Sequence, residues 1–209
     1  MSTLEKIAYY QNRRDEIPNQ LLAGELVKDR NAAGISEIVK NLDNKNKNIR
    51  SDCLKVLYEV GYLDPSLIED HVDDFLKLLN SRDNRMVWGA LIALAAIADH
   101  RPGEIWAQID NVIRVTETGT IISKVWGIRT LARVAAHNEK YKIKIFPFLL
   151  NQIRVCIPRD VPTHAESSLP AVDLKNKGQL ASLLESRRVE FTTSQLSRFK
   201  KVLKLLEKI

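Results

Sequence analysis

The apolar residues between Asn84 and Ala98 recur with the spacing of one face of an α-helix. Four of them lie at positions i, i+3, i+4 and i+7, which places them in a single stripe. The stripe consists of Ala90, Ala93, Leu94 and Ile97. Arg85 is the only charged side chain in the segment. The pattern therefore predicts an apolar helix, and the rest of the chain is organised around it.

The same stripe recurs 37 residues upstream and 37 residues downstream. The upstream copy is Cys53, Val56, Leu57 and Val60, and the downstream copy is Gly127, Thr130, Leu131 and Val134. Apolar residues between the copies follow the same period. They are Ile38, Val39 and Leu42; Phe75, Leu76 and Leu79; Val112 and Ile113; and Leu149 and Leu150. Each repeating unit therefore contains two antiparallel helices.

A repeat of this length determines the expected fold class. Periods of about 20 to 50 residues with two helices per unit are typical of solenoids, in which one helical hairpin cannot bury its apolar side alone. Neighbouring units must stack to complete the core. We therefore expect an all-α protein of about five to six stacked helix pairs.

The turn and the start of the second helix in the first full repeat carry a family resemblance. Leu42-Asp43, followed by Asn48-Ile49-Arg50 and then small and apolar residues, resembles the corresponding part of HEAT repeats. The next two units depart from this pattern, with Val87 and Lys124 in the position of Arg50. The resemblance implies a right-handed α-α superhelix of the ARM/HEAT type. It also implies scaffolding and binding, most often of proteins and sometimes of nucleic acid.

We expect a single domain over residues 1–209 with three parts. Residues 1–32 are predicted to form an N-terminal capping pair, with helices at 2–14 and about 18–28, the second buried through Leu21, Leu22, Leu26 and Val27. The repeats cover 33–173, with helices at about 35–42, 48–61, 65–80, 84–99, 103–117, 121–137, 141–156 and 161–173, the last kinked near Pro170. Residues 174–209 are predicted to form a basic C-terminal capping pair at about 175–189 and 193–208. Thr192 and Gln195 have the spacing of a capping box for the last helix.

Composition narrows the functional classes. No window approaches 18 uninterrupted apolar residues, so we expect no membrane span, and the first residues lack the apolar core of a signal peptide. Cys53 and Cys156 lie far apart within helical patterns. We interpret them as small buried residues in a reducing compartment, and we expect a cytoplasmic protein without metal or cofactor.

The net charge of +6 is confined to one end of the chain. Residues 175–209 contain nine Lys and Arg against three Asp and Glu, whereas the preceding residues contain 23 of each sign. The body of the predicted solenoid is therefore neutral. A neutral body argues against a nucleic-acid cradle, because neutralising phosphates requires distributed basic residues.

The family resemblance also indicates where a partner would bind. In a HEAT-like stack the second helix of each pair lines the concave side, so the face opposite the core stripe is the candidate surface. Projecting that face across the repeats predicts a partner-binding set of eight residues. They are Lys55, Tyr58, Arg85, Trp88, Ile92, Asp99, Val125 and Arg129. Aromatic residues beside arginine are typical of binding hot spots, but Trp88 could instead pack as core between second helices.

No catalytic motif accompanies this surface. His164-Ala-Glu166 matches a fragment of the zinc-deaminase signature, but the P-C-x-x-C that this chemistry requires is absent. We therefore predict no catalytic and no metal-binding residue. The leading hypothesis is a non-catalytic scaffold for a protein or peptide. The alternative is a nucleic-acid-binding HEAT-like protein similar to the DNA glycosylases of the AlkD type, for which Trp88 and Asp99 are the faint signal.

Overall fold

A computed structural model describes residues 2–209, and within them it contains twelve α-helices and no strand. Short 3₁₀ turns connect several of the helices. The α-helices are α1 Ile17–Lys28, α2 Ala32–Lys40, α3 Lys47–Leu63, α4 Val72–Leu78, α5 Asn84–Ile97, α6 Pro102–Ala107, α7 Ile109–Thr118, α8 Ile121–Ala136, α9 Glu139–Val155, α10 Val161–Ser168, α11 Lys177–Ser186 and α12 Thr193–Glu207.

The helices form two layers. The second helices of successive units, α3, α5, α8, α10 and α12, pack side by side in one row, and α1 extends this row beyond α3. The first helices, α2, α4, α6 with α7, α9 and α11, pack behind their partners. The all-α solenoid predicted from the 37-residue period is therefore confirmed, with five helix pairs and one unpaired helix.

The predicted stripes form the interface between the layers. All four members of the α5 stripe are fully buried, as are the equivalent residues of α3 and α8. The hydrophobic side chains of these stripes belong to one continuous core that runs from Ile7 to Leu206. Because each stripe faces both its own first helix and the neighbouring second helices, stacking buries what one hairpin would leave exposed.

Side-chain caps also repeat with the period of 37 residues. Asn46 accepts a backbone hydrogen bond from Asn48 at the start of α3, and Asp83 does the same from Arg85 at the start of α5. Thr120 accepts from the amide of Ser123 in α8. These residues satisfy amides that the first turn of a helix cannot pair internally. The capping box of α12 is also present, with the Thr192 amide donating to Gln195 over 2.8 Å.

The expected helix over residues 2–14 is wrong. Only Leu4–Lys6 forms a 3₁₀ turn, and Ile7 is extended. Side chains of neighbouring helices accept hydrogen bonds from backbone amides that a helix would have paired internally. Asn19 accepts from the amide of Ala8, and Asp52 accepts from the amide of Tyr9. The first unit is therefore α1 with an irregular segment packed over the second-helix layer. Leu21, expected in the buried stripe of α1, is 64% exposed.

Two predicted first helices are broken in the structure. The region 65–80 begins with two 3₁₀ turns, and α4 starts only at Val72, because the backbone at Ile68 leaves the helical region and turns this side chain into the core. The region 103–117 divides into α6 and α7 at Gln108. That break accompanies a stacked contact at 4.1 Å between the rings of Trp106 and Tyr141, which belongs to the next unit. The last repeat helix, expected over 161–173, ends at Ser168, and a 3₁₀ turn follows at Pro170.

The two cysteines are free, and they differ in burial. Cys53 is fully buried, and burial raises the pKa of its thiol to about 12. Cys156, which was also expected in the core, is only half-buried, at the end of α9. Among the described residues, no helix is both long enough and apolar enough to cross a bilayer.

Candidate binding groove

The face of the second-helix layer that points away from the first helices contains a cavity of about 470 Å³. We call it the second-helix groove. Its lining comes from four neighbouring second helices and the two turns beside them: Gly61, Tyr62, Pro65, Ala95, Ala96, Trp126, Arg129, Arg133, Glu166, Ser167 and Pro170. Gly61, Ala95 and Ala96 are small, and a Cβ atom on Gly61 would lie only 3.0 Å from that of Ala96. Small residues at this crossing leave room for the groove above them.

A row of four aromatic rings crosses the layer from α5 through α3 to α8. The ring centroids of Trp88 and Tyr58 are 6.4 Å apart, those of Tyr58 and Tyr62 are 5.9 Å apart, and those of Tyr62 and Trp126 are 5.9 Å apart. These separations are within the range of favourable aromatic pairs. Partial burial raises the pKa of Tyr62 to about 12.

Three cations lie over these rings. The Lys55 ammonium is 4.8 Å from the Tyr58 centroid, and the Arg85 guanidinium is 5.9 Å from that of Trp88. The guanidinium of Arg129 is closest to its ring, at 4.4 Å from Trp126. Such contacts contribute about 0.5 to 2 kcal/mol, more when they are desolvated. The stacking also restrains the orientation of each cation.

The cations differ in their carboxylate partners. Lys55 contacts Glu16 at 2.8 Å and Glu59 at 2.6 Å, and Arg85 contacts Glu16 at 3.3 Å. Burial lowers the pKa of Lys55, but its hydrogen bonds to the two carboxylates outweigh this effect and raise the pKa above its ordinary value. Among residues 2–209, Arg129 has no carboxylate oxygen within 4.0 Å, and its Nε donates to the Ser167 hydroxyl at 3.3 Å.

The acidic residues that border the groove are already paired. Glu166 contacts Lys201 at 3.1 Å and Arg198 at 3.5 Å, and these cations hold its pKa below the ordinary value despite partial burial. Asp99 contacts Arg133 at 3.0 Å and His137 at 3.2 Å. No described group of three or more His, Cys, Asp or Glu side chains is arranged to hold a metal ion.

The structure separates the eight predicted site residues by exposure. Arg85, Asp99 and Arg129 are exposed, and Trp88 and Val125 are half-buried. The remaining three, Lys55, Tyr58 and Ile92, are buried, at 7%, 6% and 5% exposure. Trp88 is partly exposed and packs partly against the core, so it is intermediate between the exposed and the core alternatives that the sequence left open. Only Arg129 of this set lines the groove, and the role of the set in binding stays a prediction.

The sequence projection missed Trp126 and Arg133, and it placed Tyr62 on the outward face of α3 without including it in the predicted set. On α8 the outward side chains are Trp126, Arg129 and Arg133, at the i, i+3 and i+7 spacing of one helical stripe. Val125 had been placed at the centre of this face, one residue away, which is a rotation of about 100° on a helix. The cation beside the tryptophan at i+3, also found as Arg85 and Trp88 in reverse order, is the sequence signal that could have identified the stripe.

The paired features expected for a glycosylase-like site are not brought together. Trp88 lies in the first half of α5, and Asp99 follows its last turn. The separation of eleven residues, most of it helical, corresponds to roughly 16 Å along the axis. The ion pair of Asp99 with Arg133 and its contact with His137 also occupy its carboxylate.

Comparisons with known proteins identify the fold. No protein-family model matches the chain, and no curated protein matches it. Solved structures do match over most of its length. An engineered protein is 16% identical with a TM-score of 0.65, covering 100% of this chain and 98% of its own. A designed armadillo repeat protein in complex with the peptide (KR)4 is 13% identical with a TM-score of 0.66, covering 90% and 86%.

A natural protein shares the same architecture. Kap121p, in a structure bound to Pho4p, is 14% identical with a TM-score of 0.66 over 96% of this chain and 22% of its own. At sequence identities of 13% to 16%, the similarity to these structures is a similarity of fold alone. The chain is an all-α repeat solenoid of the armadillo/HEAT-like type.

Proposed function

We propose that this protein is a non-catalytic binding scaffold that holds a protein or peptide segment in the second-helix groove. The observation that carries the proposal is the exposed part of the aromatic row, where Tyr62 is 48% exposed beside Trp126 and Arg129. Aromatic and arginine side chains dominate binding energies at protein interfaces. A row that continues from one unit to the next suits an extended partner.

The fold supports this proposal. The designed armadillo protein among the structural neighbours is in complex with a peptide, and Kap121p is bound to Pho4p. A solenoid offers a long continuous surface without a deep enclosed site. The carboxylates beside the groove are held in ion pairs, so the groove supplies adhesive rather than reactive groups.

A peptide-display selection tests the proposal. Random peptides selected on the wild-type protein should lose most of their binding to Trp126→Ala, because this change removes the ring on which Arg129 stacks. Truncating a hot-spot aromatic costs about 2 kcal/mol or more, which is about thirtyfold in affinity. The matched control is Val155→Ala on α9, whose side chain is 66% exposed. Selected peptides that bind Trp126→Ala as well as wild type contradict the proposal.

The nucleic-acid alternative depends on the basic end of the chain. Several of its cations are already paired, with Arg187 on Glu190 at 2.5 Å and Lys201 on Glu166 at 3.1 Å. Phosphate binding requires free cations and weakens steeply with salt. An electrophoretic shift with duplex DNA at low and at physiological salt separates the two functions, and we expect no shift at either.

A further inference from the structure

We infer that the second-helix groove selects an acidic partner segment, with a partner carboxylate bound by the Arg129 guanidinium where it stacks on Trp126. This inference rests on the proposed function and specifies the chemistry of the partner. Its basis is a contact that the chain already makes with itself at the other end of the layer, together with the charges that remain open in the groove.

The segment before α1 shows how the second-helix layer receives a carboxylate. Glu16 crosses the layer and places its two oxygens on Lys55 of α3, at 2.8 Å, and Arg85 of α5, at 3.3 Å. The same two cations lie over Tyr58 and Trp88. An acidic residue outside the regular helices therefore docks on a cation that rests on an aromatic ring.

Arg129 occupies the same position in its helix as Lys55. The two residues are 74 positions apart, which is two repeats of 37, and Ile92 occupies the intervening position in α5. Because Ile92 is apolar and buried, the layer presents two separate cationic positions rather than a continuous basic strip. The first position is filled by Glu16, and the second faces the groove.

Arg129 is prepared to bind a carboxylate. Its guanidinium is held over Trp126 at 4.4 Å, and one nitrogen is engaged by the Ser167 hydroxyl. Among residues 2–209 its remaining donors have no acidic partner. A planar guanidinium offers paired donors that match a carboxylate, and orienting the fork in advance reduces the entropy lost on binding.

The surroundings do not oppose an incoming negative charge. Glu166 is neutralised by two cations of α12, and Asp99 by Arg133. The contribution of α12 assigns a role to the basic end of the chain, since it supplies the charges that offset Glu166. Beside Arg129, the exposed ring of Tyr62 and the small residues of α5 suit an apolar side chain. The expected partner sequence therefore alternates acidic and apolar residues.

Peptide titrations test this specificity. Four helices about 10 Å apart span roughly 30 Å, which an extended peptide of about ten residues covers. Three such peptides, with leucine alternating with glutamate, glutamine or lysine, are labelled with a neutral dye and titrated by fluorescence anisotropy. We expect the glutamate peptide to bind wild type at least about tenfold more tightly than the glutamine peptide, as for one well-formed charge pair.

Variants at Arg129 provide the decisive readout. Arg129→Gln should remove the preference for glutamate over glutamine, and Arg129→Glu should reverse it in favour of the lysine peptide. The matched controls are Arg154→Gln and Arg154→Glu, at an exposed position of α9, which should keep the preference of the wild type. Circular dichroism establishes that all the variants are folded.

The other outcomes separate this inference from the proposed function. A preference for glutamine or lysine that is lost in Trp126→Ala overturns the acidic specificity and leaves the groove as a peptide site. A glutamate preference that survives Arg129→Glu assigns the attraction to another surface and also overturns the inference. If duplex DNA displaces the bound peptide and the displacement depends on Arg129, the partner is nucleic acid rather than an acidic peptide. Absence of Trp126-dependent binding by any selected peptide removes the proposed function itself.

Discussion

The central and the terminal units of this solenoid are stabilised in different ways. Ten of the fourteen residues of α5 are buried, whereas only three of the fifteen residues of α12 are. Because α5 packs between α3 and α8 and against α4, apolar contacts surround it. By contrast, α12 packs mainly against α10 and α11.

Hydrogen bonds from polar side chains supplement apolar burial at both ends of the solenoid. At the N-terminal end, Asn19 is 1% exposed, accepts from the amide of Ala8 at 2.9 Å and donates to Asp52 at 3.0 Å. At the C-terminal end, Arg187 donates to the carbonyls of Ile153 and Cys156, each at 2.7 Å. The segment before α1 and the carboxyl end of α9 are each held by donors and acceptors from outside their own element, in addition to the apolar contacts that they make. Substitutions at the centre should therefore act through volume, and those at the ends through hydrogen bonds.

The largest expected effect is that of Gly127→Ala in α8. A Cβ atom there would lie 2.0 Å from Thr116 Oγ1 and 2.8 Å from its Cβ, so α7 must move away from α8. We expect a loss of about 3 kcal/mol, because this overpacking falls at the top of the usual range. For a chain of this length, the melting temperature should fall by about 6 to 12 °C. Thermal unfolding followed by circular dichroism measures it.

Gly24→Ala in the terminal helix α1 is the matched control. Nothing lies within 4 Å of a Cβ atom at this position. Alanine should stabilise the protein by up to about 1 kcal/mol, because it is a better helix former than glycine. Equal effects at the two glycines would contradict the contrast between the centre and the ends.

Arg187→Lys should cost about 2 kcal/mol, since the charge is kept but the planar donors are lost. Nη1 of Arg187 serves carbonyls at the end of α9, while Nε and Nη2 serve Glu190. The three donors of an ammonium group lie on one nitrogen, so they cannot reproduce donors that are spread over the guanidinium plane. The unfolding midpoint in urea measures the loss. Arg188→Lys, at an exposed ion pair with Glu185 of 3.4 Å, should change stability by less than about 0.5 kcal/mol.

Asn19→Ala should cost about 1.5 kcal/mol, because it leaves the Ala8 amide and the Asp52 carboxylate without this partner. The segment before α1 should also open more often. Trypsin should therefore cleave after Arg13 and Arg14 faster than in the wild type. Asn48→Ala removes an exposed asparagine from the same layer and should leave the cleavage rate unchanged. Unaltered cleavage in Asn19→Ala would show that this tie does not hold the segment.

The last expected effect is a pH dependence at His164 in α10, which packs between α8 and α12. The side chain is 2% exposed, and neither ring nitrogen makes a hydrogen bond of regular geometry. Burial lowers its pKa below the ordinary 6.5; Asp160 and the backbone of Gln152 act in the raising direction, and Lys124 in the lowering direction. The unfolded chain therefore takes up the proton first as the pH falls below about 6.5.

Stability should fall from pH 6.5 downward until the folded-state pKa is reached, by up to about 1.4 kcal/mol per pH unit. Above pH 6.5 this residue should contribute no pH dependence. His164→Leu should flatten the profile in this window when urea midpoints are measured across pH 5 to 7. His71→Gln, outside this buried environment, should retain the slope. A slope unchanged in His164→Leu would assign it to other groups.

Sequence periodicity predicted the stack because burial of a stripe depends mainly on spacing. Ala90, Ala93 and Leu94 share one helical face, which is buried only if other helices cover it. The helices that carry the copies 37 residues away contribute to that cover. The caps Asn46, Asp83 and Thr120 repeat with the same period. The irregular segments were not predicted, because Ile68 and Tyr141 interact with residues outside their own helices.

The candidate site was predicted less well for a related reason. Placing a residue opposite the core stripe does not establish that it is exposed, because each second helix is also covered by the second helices on either side. This coverage buries Tyr58 and Ile92, and it turns Trp126 rather than Val125 into the groove. The rotation of a helix about its axis depends on those contacts, which its own periodicity does not contain.

The sequence by itself determined that paired helices stack every 37 residues with their apolar stripes inward, because helical spacing alone sets which side chains share a face. Tertiary structure decided which outward residues meet. The segment before α1 brings Glu16 to Lys55 and Arg85, while Arg129 stays open over Trp126. Ion pairing depends on distance in space. The residues that approach these cations come from distant parts of the sequence or from neighbouring helices, so the spacing along one helix does not predict them.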